Sequence, residues 1–197
     1  MSSIKLTADS GGGTFEIKAP SSSGNTRVLT LPDTGNLTLN GGKILQVQQF
    51  AKSDVVSATP GQTYNDIAGF TTSITPSSTT SKILVQVMMF TVGTDVVQLR
   101  LNRGSTSILQ GDDVAGKELV AAGRYQSNNT NGSNYYGAEP ITLVKLDSPS
   151  STSAVTYKMQ WKTSNSGYTL YLNRNLSDGN QYSFRTVSTI TLMEVGA

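Results

Sequence analysis

The chain contains neither cysteine nor histidine in its 197 residues. Without cysteine it has no disulfide and no thiolate nucleophile. Without histidine it lacks the side chain most often used for proton transfer at neutral pH and a common metal ligand. These absences argue against thiol and imidazole catalysis and against most zinc sites. We therefore expect a protein that is not an enzyme and that has no cofactor and no metal site.

Charge and long apolar runs are also scarce. Charged residues make up 14% of the chain, and 15 Lys and Arg face 13 Asp and Glu, with no basic run of the kind that neutralises phosphates. We therefore expect no nucleic acid partner. The first 30 residues lack the apolar core of a signal peptide, and no run approaches the ~20 residues of a membrane helix. The expectation is assembly in a cytoplasm without membrane insertion.

Small polar residues are abundant instead. The chain has 25 Ser, 25 Thr, 13 Asn and 19 Gly. Threonine is branched at Cβ and suits a pleated strand, whereas Ser, Asn and Gly favour turns and compete with helical hydrogen bonding. This composition is typical of strands joined by many turns.

Alternating segments dominate the chain from Lys43 onward, and they are regularly spaced. In 154–163, for example, alternation places Trp161 on the core side of a strand. Ten segments of this kind indicate an all-β protein, an antiparallel β-sandwich with a jelly-roll-like arrangement. The predicted strands are 43–52, 70–76, 81–92, 96–103, 107–111, 117–126, 140–147, 154–163, 168–174 and 187–195.

Residues 1–42 form a separate β-rich segment. Short alternating stretches at 4–8, 13–19, 27–32 and 36–40 are separated by turn residues. So few apolar residues cannot bury enough surface to fold alone, so the segment needs partners. We interpret 1–42 as a segment that docks on another protein or intertwines with neighbouring copies, and 43–197 as the sandwich domain. A partly flexible tail is the alternative for 1–42.

The segment 81–92 is apolar on both faces of its predicted strand. Leu84, Met88 and Phe90 fall on the face opposite the one that a sandwich core would cover. In an antiparallel sandwich one face normally meets water, so this pattern predicts that another subunit covers these three residues. The alternative is a cover by the N-terminal segment or by a long loop of the same chain.

Two polar stretches are candidates for chemistry or recognition. Asp112, Asp113 and Glu118 lie in a turn-like stretch, which we interpret as turn chemistry or a weak calcium site in preference to a catalytic pair. The loop at 127–139 could contact a glycan or protein surface, because amides pair donors with acceptors and tyrosines stack on sugar rings. Its candidate binding residues are Asn131, Asn134, Tyr135 and Tyr136. The alternative is a hairpin loop whose tyrosines fold back on the sandwich.

Several phrases resemble virion structural and tail-fibre-like proteins of tailed bacteriophages, above all those of marine and cyanobacterial hosts. The N-terminal phrases are GGGTFEIKAPSSSGNTRVLTLPDTGNL and GGKILQVQQF. The later ones are SITPSSTTSKILVQV, LVKLDSPSSTSAVTYKMQW, LYLNR and STITLMEV. The resemblance implies a homotrimeric virion component, attached to the particle through its N-terminal part, with a jelly-roll-like domain projecting outward. It transfers no catalytic residues.

Two functions fit this resemblance. In the first, the chain is a short trimeric fibre or spike whose distal β-domain contacts the host surface, a glycan or a protein. In the second, it is a cement or decoration protein that stabilises the head. The expected virion partners are portal, neck or tail proteins in the first case and the major capsid protein in the second. A depolymerase tailspike is less favoured, because it needs a carboxylate pair and a longer chain.

Overall fold

A computed structural model describes residues 3–7, 14–18, 24, 44–124, 137–179, 181 and 183–196, with the backbone alone for 3–7 and 14–18. The chain divides into two compact units, Met1–Leu39 and Asn40–Ala197. In the first unit, β1 (Ser3–Thr7) pairs antiparallel with β2 (Thr14–Lys18), with Ile4 opposite Ile17. The strands predicted at 27–32 and 36–40 lie outside the described residues.

The second unit is built of β-strands alone, as far as the structure describes it. No helix in the described ranges has the length and apolar character that a membrane crossing requires. The strands are β3 (Ile44–Lys52), β4 (Val56–Ala58), β5 (Asn65–Ile74), β6 (Lys82–Gly93), β7 (Val97–Arg103), β8 (Thr106–Leu109), β9 (Ala122–Arg124), β10 (Glu139–Asp147), β11 (Val155–Thr163), β12 (Leu170–Leu172) and β13 (Ser188–Val195).

These strands form two antiparallel sheets. The first has the order β3-β13-β6-β10, and the short strands β12 and β4 continue it beside the end of β6. The second has the order β5-β11-β7, with β8 and β9 both paired to β7. Successive long strands alternate between the sheets, and the first long strand lies beside the last. This is the jelly-roll arrangement of an antiparallel sandwich, so the expected fold class is confirmed.

The hydrophobic core lies between the two sheets. Ile83, Val85, Val87 and Met89 point into it from β6, and Trp161 points into it from β11. The same alternation that marks these positions in the sequence therefore places them inside, because successive side chains of a strand point to opposite faces. Trp161 is a core residue, as predicted.

Some strand predictions were wrong at the ends or missed an element. Within the described part of 117–126, only β9 is a strand, because 111–118 is an exposed turn in which Gly116 adopts φ 77° and the Gly111 amide donates to the Val120 carbonyl. Strand 70–76 begins earlier, at Asn65, since Gly69 adopts φ 64° and lets β5 continue through a bulge. The three-residue strand β4 was not predicted, because so short a segment shows no alternation.

One buried ionic cluster joins the two sheets. Asp147, at the end of β10, accepts hydrogen bonds from Arg103 Nη1 at 3.0 and 2.9 Å and from the Tyr157 hydroxyl at 2.7 Å. Arg103 and Tyr157 belong to the second sheet. Burial raises the pKa of Tyr157, and the hydrogen bond to Asp147 raises it further, so this hydroxyl remains a donor.

A second buried carboxylate lies on the other side of β6, at the level of Asp147. Glu194, on β13, accepts hydrogen bonds from the Ser77 amide at 2.7 Å, from the Ser77 hydroxyl at 2.6 Å and from Gln46 Nε2 at 2.6 Å. Burial alone would raise the pKa of Glu194, but these hydrogen bonds outweigh it and bring the pKa to about 2. The carboxylate therefore ties β3 and the turn before β6 to β13 in its charged form.

We expect this carboxylate to make the fold sensitive to acid. Its pKa is about 2 in the folded chain against an ordinary value of 4.5, so its stabilisation is complete above about pH 5 and is lost as the pH falls toward 2. Glu194→Gln should cost roughly 2 kcal/mol in the free energy of unfolding at pH 7 and almost nothing near pH 2. Urea unfolding at both pH values measures the difference. Glu139→Gln, at an exposed position, is the control, and an equal cost for Glu194→Gln at both pH values would contradict the assignment.

Candidate functional site

The outer face of the first sheet is uncharged over four strands. Its centre is the stretch of β6 from Leu84 to Phe90, and its sides are the paired positions of β10, β13 and β3. The described outward side chains of this region carry no charge, and Lys82 lies at its end. We call this region the uncharged face: Val47, Gln49, Ala51, Leu84, Gln86, Met88, Phe90, Pro140, Thr142, Val144, Leu146, Thr189, Thr191 and Met193.

Large apolar side chains of this face are open to solvent. Met88 is 40% exposed, Val144 53% and Leu146 48%. Leu84 and Phe90 are half-buried. The three residues predicted to contact another subunit, Leu84, Met88 and Phe90, therefore lie together on one face, and their role as an interface stays a prediction.

A shallow groove runs across the centre of the uncharged face. Its volume is ≈ 220 Å³, and it lies where β10, β6 and β13 are adjacent. It is lined by Gln86, Met88, Thr142, Val144, Thr189 and Thr191. Because the lining offers methyl and thioether groups beside a few hydroxyl and amide groups, the groove suits a small apolar side chain better than a charged one.

The outer face of the second sheet has the opposite character. Asp66 accepts hydrogen bonds from Lys158 Nζ and from Gln160 Nε2, each at 2.7 Å. Gln160 in turn accepts one from Asn102 at 3.0 Å. The hydrogen bond from Lys158 lowers the pKa of Asp66. This face is thus a hydrated polar surface, as expected for the outer side of an antiparallel sandwich.

Cations on the same polar face hold its neighbouring loop in place. Arg100 lies 3.9 Å above the ring centroid of Tyr64, and its Nε donates to the Leu119 carbonyl at 3.3 Å. Lys162 lies 5.0 Å from the same centroid and 2.7 Å from Glu118. The hydrogen bond from Lys162 lowers the pKa of Glu118. These contacts attach the exposed turn to the sheet, which is a structural role.

The acidic stretch does not converge into one cluster. Asp112 and Asp113 lie in the exposed turn, whereas Glu118 pairs with Lys162. The backbone carbonyl of Asp112 accepts from the Val114 amide at 3.1 Å, as in a turn. Within the described ranges, no group of three or more acidic side chains could hold a metal ion. Asn131, Asn134, Tyr135 and Tyr136 lie outside the described residues, so the structure does not bear on their proposed role.

Most of the uncharged face could not be identified from the sequence. The sequence indicated only the strand at 81–92 as part of this face, because that segment is apolar on both sides. Val144 and Leu146 follow the same alternation on β10, yet only the pairing of β10 with β6 brings them beside Met88. The alternation along β10 could have identified them. Leu143 and Asp147 point inward, so Val144 and Leu146 point outward.

Comparison with known proteins adds no family to these observations. No protein-family model matches the chain, and no curated protein sequence matches it.

Proposed function

We propose that the chain is a structural protein of a tailed phage virion, a short trimeric fibre or spike that is assembled in the host cytoplasm. The observation that carries the proposal is the uncharged face of the first sheet. Met88, Val144 and Leu146 are exposed on this face, and neighbouring exposed apolar side chains often mark contacts with other proteins. The sequence phrases that resemble virion proteins of tailed phages are the reason for proposing a phage particle as the assembly.

The two outer faces of the sandwich support a self-assembling subunit. One face carries paired charges and hydrogen-bonded amides, which water and small ions satisfy. The other face carries Met88, Val144 and Leu146, which gain free energy when a partner covers them. Sequestering the second face between copies leaves the first face outward on the assembly. The proposed virion attachment through 1–42 and outward recognition by the 127–139 loop complete this function.

A lysine on the uncharged face should dissociate the assembly without unfolding the chain. We expect the full-length protein to have three times the mass of one chain in light scattering. Met88→Lys should then give monomers, because a charge buried without a partner weakens association by about 3 kcal/mol or more, at least a hundredfold. Its melting temperature, read by circular dichroism at a concentration where both proteins are monomeric, should change little.

The matched control is Thr106→Lys, at an exposed position on the second sheet. This variant should remain a trimer. A natural chain that is monomeric at micromolar concentration, or a Met88→Lys variant that keeps its mass, would exclude the face as the contact between copies. Antibody labelling of intact particles tests the second part of the proposal. Label at the tail or neck supports the fibre, and label over the whole shell contradicts it in favour of a cement protein.

A further inference from the structure

We draw no further inference here: the strongest candidate, the groove beside Met88 and Val144 on the uncharged face of the first sheet, carries none because nothing in the part of the chain that the structure describes shows what covers it.

Discussion

Asp147→Ala should destabilise the domain by about 2 to 3 kcal/mol, less than the loss for a fully buried ion pair, because Arg103 is 30% exposed. The carboxylate is 8% exposed and receives hydrogen bonds from Arg103 and Tyr157 across the interface between the two sheets. Its removal leaves the buried tyrosine hydroxyl without an acceptor and the guanidinium without its counter-charge. Urea or thermal unfolding followed by circular dichroism measures the loss.

Two variants separate the parts of this effect. Tyr157→Phe keeps the ring packing and removes one hydrogen bond, so it should cost about 1 kcal/mol. Asp66→Ala breaks a pair with Lys158 of similar length, 2.7 Å, but Asp66 is half exposed. This exposed pair should contribute less than about 1 kcal/mol. If Asp147→Ala costs no more than Asp66→Ala, the cluster does not join the sheets energetically.

The main strands of the sandwich could be predicted because alternation is a local property of the chain. The segments 81–92, 140–147 and 187–195 match β6, β10 and β13 within a residue or so. Each one has side chains that alternate between the core and the outside, and a shift of one residue would expose the whole apolar set. The fold class follows from the number and spacing of such segments.

The pairing of the strands could not be predicted, and the uncharged face depends on it. No local pattern states that β13 and β10 flank β6, since these strands are separated by long stretches of chain. The sequence therefore showed Leu84, Met88 and Phe90 as one apolar face of a single strand. Their joining with Val144 and Leu146 is a tertiary property.

The alternation of inward and outward positions along β10 and β13 would also have indicated the buried carboxylates. Asp147 shares an inward position with Leu143, and Glu194 shares one with Ile190 and Leu192. An acidic residue at an inward position has to be paired or hydrogen-bonded, because an isolated buried charge is too costly. Its partners, however, come from other strands and loops, so the sequence alone does not name them.

Asn173 fills a gap in the pairing along one side of β6. β13 pairs with β6 up to Met88, and β12 pairs with it from Thr91 onward, so the backbone of Phe90 falls between them. The backbone amide of Asn173 donates to the Phe90 carbonyl at 3.0 Å, and the Ser188 hydroxyl accepts from the backbone amide of Phe90 at 3.1 Å. Ser188 in turn donates to Asn173 Oδ1 at 2.6 Å. Asn173 and Ser188 together thus complete the backbone hydrogen bonding of the central strand at Phe90.

Asn173→Asp should be among the most destabilising single-atom changes in the described domain. Asn173 is fully buried, and its Nδ2 donates to the carbonyls of Lys52 at 2.7 Å and Asp54 at 3.0 Å. An aspartate would place a carboxylate oxygen against both carbonyls and lose both donors, so we expect a cost of about 3 to 5 kcal/mol at pH 7. Protonation in acid relieves part of this cost, and the difference from the natural chain should narrow as the pH falls.

The backbone of Asn173 contributes separately, and a pair of substitutions isolates that contribution. Its φ is 64°, a left-handed conformation that glycine adopts freely and alanine does not. Asn173→Gly should therefore cost about 1 kcal/mol less than Asn173→Ala, although both lose the same side-chain hydrogen bonds. Ser150, with φ 51° at an exposed position, is the reference, because Ser150→Gly and Ser150→Ala should differ by the backbone effect alone. If unfolding experiments give equal values for Gly and Ala at 173, the left-handed conformation is not a source of strain there. For Asn173→Asp, a small loss in the free energy of unfolding would contradict the previous prediction. It would mean that pairing with the neighbouring strands is enough to hold β6 in place.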